Sequence, residues 1–565
     1  MQRKQIAAAG LSVLLLFSMT GCKGQSSGGG IESSAVSEPE IRTLEAMHFS
    51  ADGITQTEER FLSEKTGLTL AAPEGAVIRY TLDGSVPDAD SPQYTEPIIP
   101  EMGTGDFPVC TVLRAKAFYA DGTASAAATH TFWSAIDIQS RFTNLVISVA
   151  GDPKEITEGP DGIFFGENVK QRGRESERVV SVEMITKKGE LLFAQDAGMR
   201  IFGAASRQAA LKSMKLYARK SYDAAHSKFA YDGFGTPAAK GDDKVIKKYD
   251  RLVLRNAGND FQFAFIRDEL NQTLAKQAGY TDCEAVQPVV VYLNGSYYGF
   301  YWLHESICDD LLKAKYGGKG GKFQVIEGRE REKTIPDNDP EEGMLAAQFN
   351  ADYEELAALD LTKDENYTRV KAFLDVENYL NYYAFNICIN NRDWPQNNQK
   401  LYRYVPKEGE PAGSGPLDGR WHFWIHDTDY AEGLYEQPET EARYNNLEQI
   451  MTEDSERYSP LFTKLMQRQD CKEAFCAECR RLLSGVLSEK NMLDTLDNLN
   501  SSRFIEMKKY FAYLEELKKT NKDIWIWYDC WKKDQTDLLK YFIGRRAAYM
   551  EDFLKQAFPD IPAAS

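Results

Sequence analysis

Between Leu68 and Trp133 apolar and polar residues alternate at period two, as in Ile78, Tyr80 and Leu82 and again in Leu113, Ala115 and Ala117. Successive side chains of a strand point to opposite faces, so this alternation marks half-buried strands. Asp83-Gly84 and Asp121-Gly122 break it where turns are needed. Several short strands with turn signals between them predict a small β-sandwich over residues 45–134. From about Ile136 the pattern becomes mixed. "RVVSVEMITKKGELLF" predicts a hairpin around Lys188-Gly189, and "GMRIFGAASRQAALKSMKLYARKSY" a strand, a polar loop and a second strand. "QFAFIRDELNQTLAKQAG" has helical spacing and is closed by Gly279, and "AVQPVVVYLNGSYYGFYWLHES" is a hairpin turned at Asn294-Gly295. Further on, Tyr379, Leu380, Tyr383, Ile387 and Ile389 fit a buried helix ending at Asn390. "KLYRYV" and "RWHFWIHDTDY" alternate as two strands, and most of residues 375–558 is helical in pattern.

The first residues read differently. Arg3 and Lys4 precede an apolar run from Ile6 to Met19, and Met19-Thr20-Gly21-Cys22 ends it. The run is shorter than the roughly 20 residues a spanning helix needs, and small residues directly before a cysteine resemble a bacterial lipoprotein signal peptide over 1–21. On that reading Cys22 is lipidated, and the protein sits outside the cytoplasm, anchored to the bacterial membrane. Ser, Gly and Glu dominate from Lys23 to about Ile41, giving a flexible tether over 22–44.

At 565 residues the chain exceeds one hydrophobic core. A net charge of -18 with no basic stripe speaks against a nucleic-acid partner. Eight further cysteines follow no short repeating frame; Cys476 and Cys479 form a C-x-x-C inside a helical pattern, without the second pair or histidines of a zinc site.

The chemistry gathers in "NNRDWPQNNQKLYRY". Arg392-Asp393, four residues and then Asn398 have the spacing of the protein-kinase loop H-R-D-x-x-x-x-N, with Asn391 where the histidine stands. The second strand of the following hairpin ends in Asp427 and Asp429. Phosphoryl transfer needs a carboxylate to accept the acceptor's proton, and Mg²⁺ prefers hard oxygen ligands. Asp393 suits the first task, and Asn398, Asp427 and Asp429 the second; sequence does not choose between the two aspartates. An R-D-x-x-x-x-N match also arises by chance, and Asp/Asn-rich turns often only cap helices.

Five blocks, "MRIFGAASRQAALKSMKLYARKSY", "LVLRNAGNDFQFAFIRDEL", "VVVYLNGSYYGFYWLHESI", "NYYAFNICINNRDWPQNNQKLYRY" and "WHFWIHDTDYAEG", together resemble the CotH kinase family of spore-coat-protein-H-like atypical kinases over about 140–433. "YTLDGSVPDADSPQYTEPI" resembles the chitobiase/β-hexosaminidase C-terminal-type immunoglobulin-like module over about 49–133. The resemblance implies an immunoglobulin-like sandwich followed by an α+β, two-lobed atypical kinase: N-lobe 135–310, then C-lobe 311–565 with a helical C-terminal extension. It also implies ATP with Mg²⁺ or Mn²⁺ in the cleft. Carried over block by block, Lys212, with Lys215 as the alternative, would hold the nucleotide phosphates beside Arg207. Glu305 falls at the hinge between lobes, and Glu269 is the eligible partner for the lysine. The chain lacks G-x-G-x-x-G and A-P-E, which bears on substrate recognition more than on nucleotide binding.

The expected activity is transfer of the ATP γ-phosphate to Ser or Thr of a secreted or envelope protein. A non-catalytic surface lipoprotein, with the sandwich on cell wall or extracellular glycan, is the competing reading. A glycoside hydrolase pairing Asp393 with Asp427 or Asp429 has only the available carboxylates to support it.

Overall fold

The computed structural model describes residues 41–562 except 240–243, 262, 319, 329–339, 412, 436–437, 453–457 and 521–534. The stretch read as a leader, Cys22 and nearly all of the stretch read as a tether lie outside the described residues, as does Cys530.

Seven strands build the N-terminal sandwich: β1 (Arg42–Ser50), β2 (Gly53–Gln56), β3 (Phe61–Leu62), β4 (Thr66–Ala71), β5 (Val77–Thr81), β6 (Val109–Phe118) and β7 (Ala128–Ser134). They form sheets ordered β2-β1-β4 and β3-β7-β6-β5. Of the alternating positions, Ile78, Leu113, Ala115 and Ala117 meet Met47, Phe49 and Leu68 in a core of their own with Tyr80 packed against it, whereas Leu82 lies just past β5 and is exposed. β1 starts at Arg42, three residues inside the stretch read as tether, because Leu44 packs on that core.

The next strands are β8 (Leu145–Ala150), β9 (Arg178–Ile185), β10 (Leu191–Ile201) and β11 (Met214–Tyr217). A small ribbon of β12 (Phe229–Ala230) and β13 (Lys248–Tyr249) precedes β14 (Arg251–Arg255), β15 (Val286–Leu293) and β16 (Ser296–Glu305). Seven of them close a barrel in the order β10-β11-β14-β16-β15-β8-β9. Asn294 and Gly295, which turn β15 into β16, both have positive φ, 48° and 78°, as a type I′ turn requires. The helix Arg267–Gln277 follows β14 and is buried along most of its length, closed by Gly279.

β17 (Lys322–Gly328), β18 (Gln399–Val405) and β19 (His422–Trp424) form a second sheet, with Lys400 opposite both Glu327 and Trp424. The helix Asp309–Tyr316 spans the boundary drawn at 310. The helix Val376–Cys388 is capped by Asp375, which accepts the Asn378 amide at 3.0 Å, and buries Tyr379, Leu380, Tyr383 and Ile387. Helices 469–484, 489–520 and 535–557 complete the C-terminal part and share one large core with the barrel interior. Among the described residues no helix is long and apolar enough to cross a membrane. The seven described cysteines are free thiols; Cys476 and Cys479 are buried on helix 469–484.

The sandwich does not end at its own surface. Phe61 and Trp133 join Phe142, Val146, Ile185, Val290 and Tyr292 of the barrel side in a third cluster. Arg60 and Glu183, both 2% exposed, pair at 3.2 Å across this seam. Gly84, from the Asp-Gly turn that marked the module, packs on Asn294 and Gly151 so closely that a Cβ would overlap them.

Candidate active site

A cleft with a cavity volume of about 350 Å³ collects residues from both parts of the chain. From the barrel come Arg200, Arg207, Lys215, Arg255 and Asn259; from the sheet-and-helix part come Glu327, Asp393, Asn398, His426, Asp427 and Asp429. Sequence placed Asp393, Asn398, Asp427, Asp429, Lys215 and Arg207 in one site, and all six line it.

The polar turn after helix Val376–Cys388 is held by its own amides. Asn391 N donates to Asn386 O at 3.0 Å, and Gln399 Nε2 to Pro395 O at 2.8 Å. Arg392 turns from the cleft: it pairs with Glu441 at 2.9 Å and lies 3.7 Å from the Tyr444 ring centre. Asp393 is left at the cleft, where Asn397 Nδ2 donates to one carboxylate oxygen at 2.6 Å and Asn398 Nδ2 to the other at 3.0 Å. Two backbone bonds, Arg392 N to Tyr430 O and Glu432 N to Ile389 O, fix this turn against the segment that carries Asp427 and Asp429.

The two aspartates differ in setting. Asp429 is 1% exposed and receives the Asn259 backbone amide at 2.8 Å, Asn259 Nδ2 at 2.9 Å and Arg255 Nη2 at 2.7 Å. Burial, and then the Asp427 charge, push its carboxyl well above the usual carboxylate range, against the pull of Arg255. The Asp427 side chain keeps 29% of its surface and bonds Arg255 Nη2. Gly258 makes this packing possible, since a Cβ there would overlap the Asp429 carboxylate. Three hard oxygen sources, Asp427, Asp429 and the amide oxygen of Asn398, therefore suit a divalent cation in donor type.

Three other expected residues stand apart. Lys212 is 7% exposed and donates to Arg207 O at 2.9 Å and Ala209 O at 3.0 Å, so its ammonium closes the loop before β11. Lys215 is the lysine that lines the cleft, because β11 alternates: Met214 and Leu216 enter the core, Lys215 and Tyr217 face the cavity. Arg207 lines the cavity too, but donates to the carbonyls of Gly203, Val169 and Gln171. Glu305 accepts from Thr236 Oγ1 at 2.5 Å, Tyr249 Oη at 3.1 Å and Ala285 N at 3.1 Å, inside the barrel edge. Glu269 is fully buried and bonds His304 at 3.1 Å.

Glu269 belongs to a buried series that sequence reading missed. His304 bridges Glu269 and Glu284, Glu284 bonds His426 at 2.6 Å, and His426 lies 3.2 Å from Lys400, which pairs with Glu327 at 3.1 Å. Burial presses the His304 imidazole down, but its bonds to Glu269 and Glu284 outweigh this and carry it up to about 9. Arg255 was missed as well, although "LVLRNAGND" contains it.

A family model described as CotH kinase protein matches residues 199–550, and one described as Chitobiase/beta-hexosaminidase C-terminal domain matches residues 59–129. No curated protein matches the chain.

Proposed function

The chain belongs to the CotH kinase family, which implies use of ATP and a divalent metal, and we propose that it transfers the ATP γ-phosphate to Ser or Thr of a secreted or envelope protein. The observation that carries this reading is the position of Asp393: its carboxylate is oriented by two amides in the same cleft as Asp427, Asp429 and Lys215. Asp427, Asp429 and Asn398 would hold Mg²⁺ or Mn²⁺, and the metal-nucleotide would supply an activated phosphoryl group with its charge neutralised. Asp393 accepts the proton from the acceptor hydroxyl; two donated hydrogen bonds keep its carboxylate aimed. Arg200 and Lys215 give the barrel wall of the cleft the positive character phosphate oxygens need.

Placement outside the cytoplasm through a lipidated Cys22 is part of the same proposal. It rests on the apolar run and the Met19-Thr20-Gly21-Cys22 sequence. The test is incubation of the mature chain with γ-labelled ATP and Mg²⁺ or Mn²⁺, alone and with secreted proteins. Label on protein that disappears in Asp393→Asn supports the reading; no label under any metal overturns it.

A further inference from the structure

We propose that Arg255, not Lys212 or Lys215, is the residue that grips the nucleotide phosphates, and that Asp268 positions it. This inference rests on the kinase reading above.

Strand order places Arg255 at the phosphate end of the cleft. In protein kinases a loop covering the phosphates joins two strands, the third strand carries a lysine for the α- and β-phosphates, and a glutamate of the next helix pairs with it. Here β10 leads into the loop 202–213, whose Gly203, Ser206 and Arg207 line the cleft, and β11 returns from it. The third strand in hydrogen-bonded order is β14, antiparallel to β11. Arg255 ends β14, the helix Arg267–Gln277 follows, and Asp268 in its first turn lies 3.5 Å from Arg255 Nη1. Arg255 and Asp268 thus occupy the places of the lysine and the glutamate. Lys215 is on the second strand, and Lys212 spends its ammonium on two carbonyls.

The charges around Arg255 point the same way. Asp268, Asp427 and Asp429 surround this one guanidinium, an excess of carboxylate that a bound cation would relieve. A cation on Asp427 and Asp429 would release the donors that Arg255 now gives them. Those donors form a planar fork matched to phosphate oxygens. Arg255 Nε is moreover buried and has no hydrogen-bond partner, on a side chain that lines the cleft. Other buried arginines among the described residues also leave Nε unpartnered, but Arg255 alone among them lines the cleft, where a ligand oxygen would satisfy the donor. Asp268 is fixed independently by the Thr428 amide at 2.9 Å and hydroxyl at 2.8 Å, so its hold on Arg255 does not depend on the cation.

The test is calorimetric titration of the full chain with Mn²⁺ and, separately, ATP, ADP and AMP. Wild type should bind more tightly as phosphates are added. Arg255→Lys keeps the charge but loses the fork, and should weaken ATP on the order of 10- to 100-fold, the size of one or two charge-assisted hydrogen bonds, with AMP changed less than about 3-fold. Lys212→Met should leave all three affinities within about 3-fold. If Arg255→Lys lowers the melting temperature strongly, Asp268→Asn is read instead; it should selectively weaken ATP by a smaller factor. Equal weakening of AMP and ATP, or ATP bound as tightly as by wild type, would overturn the assignment while leaving the kinase reading standing. Wild type that binds none of the nucleotides would overturn both.

Discussion

Arg60 and Arg255 are both buried against acid, and their settings are built for different ends. At the seam between sandwich and barrel, Arg60 meets one carboxylate, Glu183, and its Nη1 bonds Thr57 O at 2.9 Å and His130 at 2.8 Å. Burial, and then the Arg60 charge, push the His130 imidazole down to about 3, so it stays neutral there. In the cleft, Arg255 meets three carboxylates, Asp268, Asp427 and Asp429. A balanced, fully buried pair completes a core; an unbalanced one beside a cavity is a place for further charge.

The largest expected effect comes from removing the seam altogether. Deleting residues 42–134 strips Phe142, Val146, Ile185, Val290 and Tyr292 of their partners Phe61 and Trp133. The remaining chain should aggregate or lose cooperative unfolding, measured by light scattering and thermal melting; a soluble, cooperatively melting remainder would show that the seam is only a contact. Next, Arg60→Ala leaves Glu183 buried and unpaired, and should cost roughly 3–5 kcal/mol in denaturant unfolding. Restoring an apolar seam with Arg60→Met and Glu183→Leu should recover most of that loss. If the single change is neutral, the Arg60–Glu183 pair does not hold the seam and its contrast with Arg255 fails.

On the cleft side, Asp393→Asn should reduce phosphoryl transfer by ~10²–10⁴ with melting temperature unchanged and metal-ATP affinity within a few-fold, since Asp427, Asp429 and Asn398 remain. Loss of metal-ATP binding with the fold intact would make Asp393 a ligand instead.

The smallest effect concerns pH. His304 titrates higher in the folded chain than unfolded, about 9 against an ordinary 6.5, so the stability it adds is present below pH 6.5 and fades as pH rises through 9. Melting temperature should fall over that window in wild type more steeply than in His304→Gln. Parallel slopes would remove His304 from the account.

The elements of the fold were legible because their patterns are long. The β15–β16 hairpin carries two apolar runs about an Asn-Gly turn, and the helix Val376–Cys388 has a continuous buried face. The acidic half of the site was legible for a related reason: a loop spacing and a strand end place Asp393, Asn398, Asp427 and Asp429 without knowledge of side-chain direction. The cationic half was not. Lys212 precedes β11, where the period of the strand does not yet apply, and its ammonium turned to backbone carbonyls. Lys215 could have been chosen by counting two residues back from Tyr217, which shares its face. Arg255 looks ordinary at the end of "RLVLR", since its significance depends on Asp268, Asp427 and Asp429, which lie 13, 172 and 174 positions away in the chain. The sandwich pattern likewise showed a module but not its seam, because Arg60 and Glu183 come from separate parts of the sequence.

Gly258 narrows the variation this site tolerates. Its φ of 56° already disfavours a side chain, and a Cβ would occupy space taken by the Asp429 carboxylate. A Gly258→Ala allele would alter none of the charged groups in the cleft, yet it would displace the best-held of its acids. Natural variants at this codon should therefore behave as silent-looking loss-of-function alleles, invisible to any survey that scores only the acidic and basic positions.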